Sequence, residues 1–210
     1  MWKRWVRYQK ERMFWGAVGI LVTNLIAFVV VVVYSMHHLF GYTYLKEIDY
    51  ERFQTAAELA EASPVIVKAS ATADAAPYDL PYDHYTKTKV TIEEVLKDES
   101  GSLQPGEKIT VLEQYWMKGR AMFPKQTVYN GNYYSKLVSG TSYLLYLAEA
   151  PEHDSFRTVA FHQGKYNLDR KDKLERRIEK KDPLYGELKQ SVQAAYADKR
   201  ETASPPANKP

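Results

Sequence analysis

Residues 14–36 read FWGAVGILVTNLIAFVVVVVYSM, 23 positions without a charged side chain. As a helix rising ~1.5 Å per residue, this run is about 35 Å long, against roughly 30 Å of bilayer hydrocarbon. It is long enough to span a membrane once with some tilt, and its reading divides the chain. Residues 1–13 form a short head holding Lys3, Arg4, Arg7, Lys10 and Arg12 against one acid, Glu11. Lys and Arg next to a span are retained on the cytoplasmic side. The expected topology is therefore a single pass through the plasma membrane, N-terminus cytoplasmic and the rest extracytoplasmic. Trp2, Trp5 and Trp15 on one side, and Tyr34, Phe40, Tyr42 and Tyr44 on the other, suit the two headgroup layers. The head, alternating Trp2, Trp5, Val6 and Met13 with bases, also has the composition of a surface helix on anionic lipid.

A cleaved signal peptide is the rival reading. The apolar run exceeds the ~7–15 residues of a typical signal core, and no Ala-x-Ala-like site follows it. There is no cysteine to carry a lipid, and no Asn-x-Ser/Thr acceptor. An exported domain without disulfides or glycosylation sites points to a bacterial plasma-membrane protein.

Charge is partitioned by the same boundary. The chain has 29 basic and 26 acidic residues, net +3, and the head alone contributes +4. What remains, 24 basic and 25 acidic residues, is nearly neutral. The basic balance is thus a topology signal, and no nucleic-acid partner is expected.

Beyond the span, residues 37–63 read as a connector with a helix over 45–62. Tyr50, Phe53, Ala57 and Ala60 recur at helical steps, and Ser63-Pro64 ends the pattern. Residues 64–166 change to strand patterns. The stretch 64–71 is β-prone, and a Pro-, Asp- and Tyr-rich loop is expected over 74–83. Residues 86–92 alternate as a half-buried strand, with a bulge at Glu93-Glu94. A Gly101–Gly106 turn, strands over 108–114 and 142–148, and a last strand over 156–162 complete the set. Five or more short strands joined by hairpin-like turns predict a mostly antiparallel small β-barrel, OB-like, or a sandwich. Residues 167–200 follow as C-terminal helices. The segment 168–181 is densely charged, then Asp182 as N-cap and Pro183 at the first helical position open a helix with Leu184, Leu188, Val192, Ala195 and Tyr196 on one stripe. The Pro/Ala-rich 201–210 reads as a disordered tail. The fold class is a single transmembrane helix plus an α+β extracytoplasmic domain.

Four stretches occur in a fixed order: Glu58-Leu-Ala-Glu-Ala-Ser-Pro-Val-Ile-Val67, Val90-Thr-Ile-Glu-Glu-Val-Leu-Lys97, Gly106-Glu-Lys-Ile-Thr-Val111 and Leu137-Val-Ser-Gly-Thr-Ser-Tyr-Leu-Leu-Tyr-Leu147. Together they resemble a recurrent extracytoplasmic β-domain of single-pass proteins in Gram-positive bacteria. The layout is also similar to the OB-like barrel of the tissue metalloproteinase inhibitors, although those are stapled by disulfides. The resemblance spans about half the chain, rests on strand ends and turns, and implies no activity.

Catalytic motifs are absent. No Gly-rich phosphate loop, Ser-x-x-Lys, His-Glu-x-x-His or Gly-x-Ser-x-Gly occurs, so no catalytic residue, cofactor or metal ligand is assigned. His153-Asp154-Ser155 are consecutive and cannot face one another in relay order. His37-His38 is read as a juxtamembrane spacer, while His84 and His162 stand alone.

Two features suggest binding instead. Within the span, Gly19, Thr23 and Ala27 are small residues at four-residue intervals, with Asn24 beside them. This stripe suits close helix–helix contact, with a second copy or with another membrane protein. The segment 114–136 mixes rings with cations and contains no acid. Tyr115, Trp116, Lys118, Arg120, Tyr129, Tyr133 and Tyr134 make it a candidate surface for a cell-envelope glycan or anionic polymer, against the alternative that the rings pack on the barrel. The expected role is a noncatalytic interaction protein at the membrane. An envelope-ligand binder and an exported enzyme of unrecognised type remain the alternatives.

Overall fold

The computed structural model describes the backbone of residues 2–39, 43–46, 49–80, 84–120, 123–130 and 134–203. Helix α1 (Trp2–Leu39) opens the chain. Neither proline nor a glycine pair interrupts the register between the basic head and the apolar run, so one helix carries both. Within it, Met13–Ser35 is long and apolar enough to cross a membrane, and none of that window is buried. By length and composition alone, a helix of this kind near the N-terminus is a weak sign of a membrane anchor or a signal sequence.

The chain divides into two compact units, residues 1–42 with 119–126, and residues 43–118 with 127–210. The second unit is a mixed-sheet domain with flanking helices. Strands β2 (Val65–Asp79), β3 (His84–Asp98), β4 (Lys108–Glu113), β7 (Ser142–Ala150) and β8 (Ser155–Thr158) are paired in the order β2-β3-β4-β8-β7, and β2 pairs again with β7. The path of pairings closes into a ring. The β4–β8 step is parallel and the other four are antiparallel. Strand β9 (Lys165–Asn167) adds to the outer edge of β7. A separate small sheet joins β1 (Thr43–Lys46), β6 (Phe123–Asn130) and β5 (Tyr115–Arg120), with β1 parallel to β6.

Period-two alternation sorts the ring's side chains into two cores. Val65, Val67, Ala69 and Ala71 of β2 meet Tyr143, Leu145 and Leu147 of β7 inside the ring, with Val90, Ile92, Ile109 and Val111. The alternate positions Ile66, Leu144 and Tyr146 face outward and are covered by Leu59 of α2 (Ala56–Glu61) and by Tyr185, Leu188 and Val192 of α4 (Pro183–Ala203). Strand β7 is therefore buried on both faces, which is why its sequence is almost continuously apolar.

Several expectations are corrected. The connector helix is confined to Ala56–Glu61, because Thr55 and Glu58 form a capping box that sets its start. Upstream, Phe53 is held in non-helical backbone by the Gln163 amide, which accepts from the Phe53 N–H at 2.9 Å and donates to its carbonyl at 3.0 Å. The loop expected over 74–83 is strand as far as Asp79. Among the described residues, β2 beyond Ala71 is paired with β3 alone, so Pro77 lies on an open edge where its missing N–H is tolerated. The Glu93-Glu94 bulge falls where the register skips between Lys68↔Glu94 and Ala69↔Ile92. The segment 114–136 contains strands β5 and β6, consistent with the β-prone Tyr115-Trp-Met and Thr127-Val-Tyr runs.

The strand expected over 156–162 is cut to Ser155–Thr158, and a 3-10 turn follows at Phe161–Gly164. Gly164 is required there. A Cβ would lie 2.3 Å from the Val159 carbonyl oxygen and 3.0 Å from that of Tyr146. The charged segment forms α3 (Glu175–Lys181). Helix α4 opens as read, with the Asp182 carboxylate accepting the Tyr185 N–H at 3.3 Å. Its buried face uses Tyr185 rather than Leu184, and Ala195 is exposed. The helix continues to Ala203, and the rest of the tail lies outside the described residues.

Candidate functional site

The span residues lie on α1 as spaced. Gly19, Thr23, Asn24 and Ala27 are all exposed along the helix. Nothing lies within 4 Å of where a Gly19 Cβ would stand. Thr23 Oγ1 donates to the Gly19 carbonyl at 2.9 Å, and Asn24 Nδ2 donates to the Ile20 carbonyl at 2.8 Å. The helix thus satisfies one donor on each polar side chain. The Asn24 amide keeps its carbonyl and a second N–H for a neighbour.

Tyr115, Trp116 and Tyr134 are buried, at 4%, 6% and 1% exposure, so these three rings are not offered to solvent. Trp116 stacks on His84 with centroids 4.6 Å apart. Lys118 and Arg120 fall on β5 and Tyr129 on β6. Tyr133 lies outside the described residues.

A buried polar cluster that sequence reasoning missed surrounds Lys165 (1% exposed) and Asp172 (0%). The Lys165 ammonium donates to the Ser135 carbonyl at 2.6 Å, to Ser135 Oγ at 2.8 Å and to Lys136 O at 3.3 Å, and pairs with Asp172 Oδ2 at 3.4 Å. The rings of Tyr143 and Tyr134 flank it at 5.0 and 5.4 Å. Asp172 also accepts from the Tyr143 hydroxyl at 3.2 Å, and from the backbone N–H groups of Leu174 and Glu175 at the entry to α3. Burial raises the Asp172 carboxyl, but the Lys165 charge and these donors outweigh it and hold it below its usual range. On the far side of Tyr134, the fully buried Glu113 accepts from Thr88 Oγ1, from the Leu137 N–H at 2.6 Å and from the Tyr134 hydroxyl at 3.3 Å. There burial wins and pushes the carboxyl up, against the Lys165 charge and the donors.

Proximity of Ser135 Oγ and Lys165 Nζ raises the question of a nucleophile–base pair. The hydrogen bonds run the other way. Lys165 donates to Ser135 Oγ, which in turn donates to Asp172 at 3.4 Å. A general base needs a lone pair facing the serine, and here carbonyl oxygens occupy the directions around Nζ. The cluster ties the 134–138 segment, β9 and the start of α3 together.

A second buried group gathers at the junction of α3 and α4. Glu175 accepts from the Asn167 N–H at 2.9 Å and the Tyr185 hydroxyl at 2.8 Å, and pairs with Lys189 at 3.2 Å. Tyr185 stacks on Tyr166 with centroids 5.6 Å apart. Nearby, His162 is 3% exposed. The Tyr50 hydroxyl lies 3.4 Å from its Nδ1, and Asp182, which also pairs with Arg52, lies 3.7 Å from its Nε2. Burial lowers His162 to about 4, with Arg52 and Lys165 adding to the effect and Asp182 opposing it.

Of the other residues weighed, His153 lies beside Tyr78, and Asp154 has a left-handed backbone (φ 48°). Among the described residues, Ser155 Oγ makes no hydrogen bond. No relay joins the three. Among the described residues, no three His, Asp or Glu side chains are arranged to hold a metal ion. Lys165 and Asp172 were invisible as a pair because a lysine in a three-residue strand and an aspartate in a highly charged segment both read as surface. The available signal was the aromatic and apolar setting of Lys165, between Gly164 and Tyr166.

No family model matches the chain, and no curated protein is significantly similar to it.

Proposed function

We propose that this is a single-pass membrane protein whose β-rich domain lies outside the cell and acts by binding, through a protein partner in or at the membrane. The observation that carries the reading is the unburied apolar window Met13–Ser35 following a head of five bases. Large side chains from Met13 to Tyr34 are exposed along it, Leu21 at 71% and Phe28 at 65%, an apolar surface that water does not tolerate and lipid does. The basic head orients it with the N-terminus inside. On this reading the ring of strands is a small closed barrel held beyond the membrane. A noncatalytic role is supported by the polar groups around Lys165 and Asp172, whose donors and acceptors are committed to one another.

The partner is assigned to the span. Gly19, Thr23 and Ala27 let a second helix approach closely, and the remaining Asn24 amide groups gain from an acceptor or donor across that contact. In-membrane photo-crosslinking with affinity recovery tests this, comparing the native chain with Asn24→Leu and with an unrelated span. Recovery of a defined membrane protein, or of a second copy, from the native chain and its loss in both variants is expected. Equal recovery from all three chains would sink the assignment.

A further inference from the structure

Residues 168–181 contain seven basic and four acidic side chains and read as a solvated mixture of both charges. The fold separates them. Asp172 and Glu175 are buried, at 0% and 1% exposure. Asp169 accepts from Asn167 Nδ2 at 2.8 Å and from the Lys171 and Ser142 N–H groups at 3.1 and 3.3 Å. Glu179 is taken by Lys189 at 3.0 Å. Two of the acids are thus buried and the other two are held by donors at the surface, while all seven bases stay exposed.

Three of these bases line one groove. Arg170, Arg176 and Lys180 border a cavity of about 650 Å³ between α3 and α4, with the exposed amides of Gln190 and Gln193 across from them. This is the size of a small-molecule site. Arg176 and Lys180 are four apart and share a face of α3. Arg170 sits in left-handed backbone (φ 60°), in the turn whose inward carboxylates are Asp169 and Asp172. Among the described residues, none of the three bases is ion-paired. Lys189 is shared by Glu179 and the buried Glu175, so with Glu187 the groove and its direct partners hold four cations against three acids, a net of +1.

We propose that this groove binds the phosphate monoester of a sugar or polyol. A phosphate monoester carries nearly two negative charges near neutral pH, opposite in sign to the three bases that border the groove. Guanidinium forks engage phosphate oxygens bidentately, and the Gln190 and Gln193 amides donate to and accept from hydroxyls. The assignment goes beyond the span-partner reading and stands or falls separately from it.

The test uses the full chain in nanodiscs of zwitterionic lipid, titrated with glucose 6-phosphate, inorganic phosphate and glucose. Glucose 6-phosphate should bind, more tightly than inorganic phosphate, and glucose should not. The triple variant Arg170→Gln, Arg176→Gln, Lys180→Gln should weaken binding at least about tenfold. Lys173→Gln with Arg177→Gln, which removes exposed bases outside the groove lining, should change it by less than about threefold. Unchanged melting of both variants shows that folding is intact. Equal losses in the two variants, or none in the triple, would overturn the site. Phosphate binding as tightly as glucose 6-phosphate would overturn the hydroxyl contacts. Repeating the titration in nanodiscs containing phosphatidic acid separates the sources. Competition by the lipid assigns the phosphate to a headgroup, and no competition assigns it to a soluble ester.

Discussion

Lys165 Nζ and Asp172 Oδ2 lie 3.4 Å apart with essentially no exposure to solvent, and each satisfies a different element of the fold. The lysine holds the Ser135 and Lys136 carbonyls, and the aspartate holds the first N–H groups of α3. Removing one member of a buried pair leaves the other charge uncompensated, at a cost of about 3–5 kcal/mol. Lys165→Met should therefore destabilise the chain by that amount in denaturant titration of the full chain in micelles. Adding Asp172→Asn should return part of the loss. A Lys165→Met chain as stable as the native one would show that the cluster contributes little.

His162 makes stability depend on pH. It is neutral in the fold because burial lowers it to about 4, against 6.5 in the unfolded chain. Between those values the unfolded chain binds the extra proton, so stability is intact above pH 6.5 and falls as pH drops towards about 4. The full effect is on the order of 3 kcal/mol. His162→Gln should flatten the profile across that window, as measured by denaturant midpoints at each pH. A native profile flat from pH 7 to 4 would contradict the placement of this imidazole beside Tyr50, Arg52, Asp182, Lys165 and Tyr185.

Two glycines should answer oppositely to alanine. At Gly164 the new methyl would meet backbone atoms of Val159 at 2.3 and 2.9 Å, which cannot swing aside. Gly164→Ala should cost about 1–3 kcal/mol or more. At Gly186, in the first half of α4, the nearest atom is the Glu179 carbonyl oxygen at 3.5 Å, an ordinary contact. Gly186→Ala should stabilise by about 0.5–1 kcal/mol through helix propensity. Thermal melts of the two variants check both signs.

One side chain holds the connector backbone at Phe53. Gln163, fully buried, makes two hydrogen bonds to the Phe53 backbone. Gln163→Leu removes both and leaves a buried N–H and carbonyl unpaired, at about 1–3 kcal/mol each. Amide exchange at Phe53 should accelerate with little change at Val67 or Leu145. Uniform acceleration would mean that the connector and the ring open as one unit.

Local chemistry carried much of this architecture in readable form. The apolar run at 14–36, the alternation over 86–92, the glycine turns and the Asp182-Pro183 helix start each depend on a few neighbours, and each is found in place. What escaped depends on distant partners. Residues 74–79 look like a loop until β3 pairs along them, and 45–53 look helical until Gln163 captures Phe53. The rings of Tyr115, Trp116 and Tyr134 were legible as a cluster, but composition did not say which side of the sheet they occupy. The separation of acids from bases in 168–181 is set by Lys165, Lys189 and the Ser142 backbone, none of which lies in that segment.

The proposed topology holds the β-rich domain outside the cell on the N-terminal helix. The chain has no cysteine, so one introduced thiol reports its own compartment. Lys3→Cys in the head and Glu61→Cys on the exposed end of α2 should be probed with a membrane-impermeant maleimide on intact cells. The proposed topology gives labelling at position 61 without lysis, labelling at position 3 only after lysis, and both chains in the membrane fraction. Labelling at position 3 in intact cells with protection at 61, or a chain released uncut or shortened into the soluble fraction, would contradict it.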